Sequence, residues 1–187
     1  MPLSFWKMGT SSGDGSSNPE VQHFMRIPWC VHENRTVLST WENQFVGGTL
    51  NTPDTITAWV DLYQLRPGPE FRIEEFLSLI TLGPGMVGFP DSVHGGAAAL
   101  LLDEVTGMHI ASQRGPDEPL KKEFRTAYLK ATYLKAIPAP GTVLVRSRIV
   151  RVDGRKNFVE AQIEDEHGEV LVKGEVLYIT LKSKSKL

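Results

Sequence analysis

Two glycines and a carboxylate are the residues of this chain best placed to do chemistry. His94-Gly95-Gly96 opens an uninterrupted small and apolar run, Ala97 to Leu102, which ends in Asp103-Glu104. At the start of a helix the glycines offer bare, approachable N–H groups, where the dipole favours a developing negative charge. A carboxylate at the end of an apolar run is costly unless it is paired or used. The residues alone leave Asp103 open between two roles, a structural acid paired with Arg125 or Arg146 and a working carboxylate. Gly95 and Asp103 stand about 12 Å apart along a helix, too far for one small carbonyl to touch both. If both serve one substrate, they come from two antiparallel copies of the helix, which predicts a dimer.

The surrounding elements must hold that helix in place. Nothing between Gly96 and Thr106 breaks it, and its middle is apolar all round, so it reads as a helix buried on most sides that continues through Gly107 toward Ser112. Asp91 or Ser92 is the expected cap. Gly83-Pro84-Gly85 and Gly88-Phe89-Pro90 form the approach, a loop able to bring backbone close to a ligand. Upstream, Thr55 to Tyr63 fits a strand or a short helix, Arg66-Pro67-Gly68-Pro69 a turn, and Glu75 to Leu82 a strand. After the polar loop from Gln113 to Pro119, four strands are expected: Phe124–Leu134, Val143–Val150, Phe158–Glu164 and Val170–Leu181. Asp153-Gly154 signals a hairpin between the second and third. Along the third, Val159, Ala161 and Ile163 alternate with Phe158, Glu160, Gln162 and Glu164. One buried helix with a meander of strands is an α+β layout.

Three segments, Gly88-Phe89-Pro90, Val93-His94-Gly95-Gly96 and Leu102-Asp103-Glu104, resemble the central-helix signature of hotdog-fold acyl-CoA thioesterases, and the likeness extends over about residues 55–182. The resemblance implies a long central helix wrapped by an antiparallel β-sheet, with active sites at the interface of a homodimer or dimer of dimers. It implies Asp103 as general base for water or as nucleophile on the thioester; Glu104, about 100° away around the helix, is the lesser alternative for the working acid. Gly95 N–H would hold the oxyanion, His94 would orient the thioester or its loop, and Thr126 would position water. Gly96, Phe89, Arg155 and Lys156 would meet the substrate. The last two resemble the basic end that contacts coenzyme A phosphates, although a solvated turn reads the same way. No metal and no cofactor beyond the substrate's own coenzyme A is implied. Two rivals stand beside this reading. A hotdog enoyl-CoA hydratase or dehydratase needs an Asp/His pair with an Asn-Pro loop, and no such segment flanks the helix. A non-hydrolytic acyl-binding or accessory protein would keep the fold without turnover, and the intact His94, Gly95 and Asp103 argue against it.

Composition sets the outer limits. The 187 residues suit one domain with a substantial core. With 22 acidic and 20 basic residues there is no field to attract nucleic acid or an anionic membrane. The single cysteine, Cys30, excludes an internal disulfide and fits a reducing compartment, and with His23 and His32 it lacks metal-site spacing. No membrane span and no signal peptide is expected. Residues 1–18, Gly/Ser-rich from Ser11, are expected to be disordered. Residues 19–54 are expected to form an extension packed on the domain, with one or two short helices between Pro19 and Gln44. The tail, 183–187, ends Ser185-Lys186-Leu187, which reads as an address for the peroxisomal import receptor; without it the expected location is cytoplasmic.

Overall fold

The structure, a computed structural model, describes residues 30–33, 43–65, 73–113 and 123–181. The Gly/Ser-rich start, most of the N-terminal extension and the Ser-Lys-Leu tail lie outside them. Nine strands and one α-helix follow in order: β1 (Cys30–Glu33), β2 (Ile56–Leu65), β3 (Ile73–Leu82), β4 (Val87–Phe89), β5 (Ser92–Val93), α1 (Gly95–Ser112), β6 (Phe124–Tyr133), β7 (Gly141–Asp153), β8 (Lys156–Glu164) and β9 (Val170–Thr180). A π-helical turn at Gln44–Thr49 and a 3₁₀ turn at Pro84–Met86 complete the described elements.

Seven strands form one antiparallel sheet in the order β1-β2-β3-β7-β8-β9-β6, and β4 pairs with β5 in a small hairpin. This antiparallel sheet with one main helix fits the hotdog arrangement. At its start, within the N-terminal extension, Cys30–Glu33 is strand. Paired Cys30 to Tyr63, it satisfies backbone groups that β2 would otherwise leave open at a sheet edge. The ambiguous Thr55–Tyr63 segment also resolves to strand. Trp59 faces the core across from Ile80, a fit of aromatic and β-branched side chains that a pleated surface favours.

Helix α1 lies against one face of the sheet. Ala98, Leu101, Leu102, Val105, Thr106 and His109 are buried, spaced as one helical stripe, and the remaining turns are half-buried beyond the exposed first glycines. Close packing depends on a missing side chain opposite. A Cβ on Gly174 of β9 would stand 3.1 Å from a methyl of Leu102, so the glycine lets that side chain sit directly on the strand. His109 is sealed beneath the helix. Its Nε2–H donates to the Ile73 carbonyl at 3.2 Å, Ser147 Oγ lies 2.9 Å from Nδ1, and the Phe76 ring stacks on it. Burial pushes its pKa down to about 4, so the ring is neutral.

The other sheet face carries charge in ordered pairs. Arg146 of β7 bridges Glu75 at 3.0 Å and Glu164 at 2.8 Å, which accounts for a nearly buried Glu164 on the polar side of β8. On the edge strand β6, the register with β9 slips between Thr126 and Tyr128, a bulge that leaves Ala127 as the extra residue.

Candidate active site at the two ends of the central helix

Asp103 stands half-buried on α1, where β6 and β9 pass the helix. Thr126 Oγ1 donates to its Oδ1 at 2.9 Å. Tyr178 Oη lies 3.1 Å from the same oxygen and 2.7 Å from the Asp103 main-chain carbonyl. Thr126 and Tyr178 are direct cross-strand partners, so both hydroxyls rise from one pair of positions on a rigid sheet. Burial pushes the Tyr178 phenol up from its ordinary value, and it acts as a neutral donor. Of the two roles left open for Asp103, the ion-paired one lacks its partner: Arg125 pairs with Glu123 and Arg146 with Glu75 and Glu164. The strands that reach Asp103, β6 and β9, present hydroxyls to it, Thr126 and Tyr178. Among the described residues nothing donates to Oδ2, which leaves that oxygen for a reactant.

The helix N-terminus forms the other end. His94, not Asp91 or Ser92, caps it, its Nδ1 accepting from Gly96 N–H at 3.0 Å. Asp91 is taken up by the turn between β4 and β5, at φ 59°, and Ser92 by β5. The first four helical N–H groups have no intrahelical partner. Gly96 gives its proton to His94 Nδ1, and Ala97 and Ala98 give theirs to the His94 carbonyl. Gly95 N–H remains, the one donor of the four still open for an anion. Tyr133 Oη donates to the Gly95 carbonyl at 2.8 Å from below. Beside it opens a cavity of about 310 Å³, lined by Ser92, Gly95, Tyr133, Lys135, Ile137 and Val172. Gly88 crosses directly over His94, and Phe89 is 79% exposed at the tip of the small hairpin.

The predicted residues therefore fall into two groups. His94, Gly95, Gly96 and Phe89 gather at the start of α1. Asp103 and Thr126 meet further along it, and the β7–β8 turn brings Arg155 and Lys156 to that same end of the sheet. Lys156 pairs with Ile179, and the neighbouring row runs Asn157–Tyr178–Thr126. Arg155 and Lys156 are exposed, Arg155 Nη1 donating to the Thr180 carbonyl at 3.3 Å. No single chain brings the Gly95 amide to Asp103.

Comparison with known proteins narrows the chemistry. The family model described as the thioesterase superfamily matches residues 91–172. This stretch is similar to the thioesterase superfamily. The acyl-coenzyme A thioesterase THEM4 of Mus musculus is 36% identical over 88 residues, 47% of this chain and 35% of that protein. The chain thus spans about a third of the length of the curated relatives it matches. Among solved structures, yhdA of Lactococcus lactis superposes with a TM-score of 0.55 at 18% identity, over 70% of this chain and 94% of that one. A thioesterase protein of Streptococcus pneumoniae, determined with coenzyme A, gives 0.52 at 16%, over 66% and 91%. At those identities the two structures speak for the fold.

The superfamily segment holds His94, Gly95, Asp103 and Thr126. It does not reach Tyr178, which sequence reasoning missed together with Thr106 and Tyr133. A signal for Tyr178 existed. Val172, Gly174, Val176 and Tyr178 alternate on one face of β9, and a phenol at a core-facing position needs a polar partner. Thr106, a turn beyond Asp103, accompanies it with Oγ1 2.9 Å from the Tyr178 hydroxyl. Among the described residues no cluster of His, Cys, Asp and Glu could hold a metal, and no helix is long and apolar enough to cross a membrane.

Proposed function

We propose that this chain hydrolyses acyl-coenzyme A thioesters, with each site assembled from two protomers. The observation that carries the reading is the split itself: an open Oδ2 on Asp103 and an open N–H on Gly95, about 12 Å apart on one helix. Two antiparallel copies of α1 bring the amide of one beside the carboxylate of the other. The superfamily match and the THEM4 relatives supply the substrate class. The unpaired edge of β6, with Tyr128, Tyr133 and Leu134 about half exposed along it, is suited to face the second protomer.

In this reading Asp103 Oδ2 takes a proton from water, and the resulting hydroxide attacks the thioester carbon. The carbonyl oxygen becomes an oxyanion held by Gly95 N–H of the facing protomer, at the positive end of its helix. Collapse breaks the C–S bond, and the proton on Asp103 passes to the departing thiolate, giving free acid and coenzyme A thiol. Thr126 holds the carboxylate, His94 holds the glycine turn, Gly96 and Phe89 line the acyl approach, and Arg155 and Lys156 meet the phosphates.

The test is complementation. Asp103→Asn removes the base and lowers kcat on the order of a hundredfold or more. Gly95→Pro replaces the N–H by a ring methylene, at a first helical position where proline is tolerated. His94, at ψ 133°, already has the backbone that precedes a proline. Mixed and reassociated, the two dead proteins form heterodimers holding one intact site, and activity returns to roughly a quarter of wild type at equal mixing. No recovery, with heterodimers demonstrated, refutes the shared site; full activity of either variant alone refutes the assigned chemistry.

A further inference from the structure

We infer that Tyr178 is a positioning residue for the reaction at Asp103: with Thr126 it engages Oδ1 and so makes Oδ2 the oxygen that meets water. The inference rests on the thioesterase reading and adds to it a residue outside the matched superfamily segment. Tyr178 is 2% exposed, and its only polar side-chain atom is aimed at the catalytic turn. The hydroxyl has one proton and lies 3.1 Å from Asp103 Oδ1, 2.7 Å from the Asp103 carbonyl and 2.9 Å from Thr106 Oγ1, with the Thr126 hydroxyl also beside it. Thr106 Oγ1 is also 2.7 Å from the Leu102 carbonyl, an acceptor for its own proton. The Tyr178 proton is thus available to Asp103, and of its two oxygens there the ionised carboxylate forms the stronger bond.

The seat of the ring is fixed from three sides. The Phe124 ring meets it edge-on with centroids 5.4 Å apart. Gly107 of the helix lies against the hydroxyl, where even a Cβ would stand in ordinary contact at 3.4 Å from the phenol oxygen. Thr126 faces it across the ladder. A carboxylate bound on one oxygen by two hydroxyls from a rigid sheet has little freedom to rotate, and this is how a group beside the reacting one holds a reaction geometry.

A buried phenol that only supported the helix would share these contacts, so the experiment must separate the two roles. Tyr178→Phe keeps the ring and removes the donor. The expected result is a fall in kcat on the order of tenfold, the scale of one hydrogen bond to a charged group, with KM changed less than about twofold. The same substitution in an Asp103→Ala background, where there is no carboxylate to position, should cost nothing further. An equal loss in both backgrounds, or unchanged kcat in the first, overturns the inference. If Tyr178→Phe does not fold, Phe124→Leu leaves the phenol but frees its ring plane, and must show the same loss with the same dependence on Asp103. Should the wild-type protein hydrolyse none of a panel of acyl-CoA thioesters, the thioesterase reading fails. Crystal structures then still decide the positioning role: the Asp103 carboxylate turns off its wild-type plane in Tyr178→Phe if the inference is right and stays put if it is wrong.

Discussion

Gly88→Ala tests whether the glycine end of the site has any slack. A Cβ at this position would stand 2.8 Å from His94 Cα, 2.9 Å from its Cβ and 3.0 Å from Cδ2. Carbon atoms rest at about 3.5–4.0 Å, so a displacement of roughly 0.5–1 Å is forced. The first of these neighbours is main chain, and the second is rooted on it, so no rotamer change relieves them. Overpacking of this kind costs about 1–3 kcal/mol. His94 is also the helix cap through Nδ1, and losing that bond adds about 1 kcal/mol. The sum, about 2–4 kcal/mol, corresponds to a fall in Tm of roughly 4–16 °C for a chain of this size. Moving the start of α1 by that distance also displaces Gly95 N–H from the developing oxyanion, at a cost in kcat on the order of a hundredfold. Thermal melts and steady-state hydrolysis of one acyl-CoA read both effects. A variant that melts within about 1 °C of wild type and keeps its turnover refutes the account, because the hairpin would then have room to lift away without moving His94.

Two further outcomes concern the scaffold. His109 is neutral when folded, with its pKa pushed down to about 4, whereas the unfolded chain takes the proton near pH 6.5. The unfolded state therefore binds more protons between those values, and stability falls as pH drops through that window, by up to about 3 kcal/mol. His109→Gln, which can still bond Ile73 and Ser147, should flatten this slope in denaturant titrations at pH 7 and pH 5; an unchanged slope would assign it to other groups. Gly174→Val places side-chain carbon against the Leu102 methyls and should cost about 1–3 kcal/mol in equilibrium unfolding. Adding Leu102→Ala should then cost less than it does in the wild-type background, and strict additivity would show that the two positions do not compete for space.

The helix and the places of Gly95 and Asp103 on it are legible in the sequence because each depends on local chemistry. Gly95 and Gly96 start α1, the apolar stripe carries it to Ser112, and Asp103 follows at a fixed pitch. Thr126 was found through family resemblance, and β6 does bring it to Asp103. The cap was misjudged because Asp91 and Ser92 are good caps in isolation, yet a tight hairpin claims both and leaves the imidazole of His94 as acceptor. The sequence leaves open whether Asp103 is paired with Arg125 or Arg146, and the structure gives each another carboxylate, Glu123 beside Arg125 in the chain and Glu75 and Glu164 across the strands from Arg146. Tyr178, 75 residues from Asp103, depends on β9 lying beside β6, a pairing that no local pattern encodes. The strand at Cys30–Glu33 was hidden likewise, since four residues carry too little periodicity to separate it from a helix.

The extra residue in β6 has a consequence for both ends of the site. Thr126 and Tyr133 are an odd number of positions apart, and on an unbroken strand they would project to opposite faces. Here both point at the helix, one to Asp103 and the other to the Gly95 carbonyl, because Ala127 inverts the parity between them. The strand therefore reads in two frames. Removing Ala127 alone cannot leave both contacts in place: whichever half keeps its frame, the other turns its side chains to the outside. One small residue with no polar side chain decides whether the acid and the amide are served by the same strand.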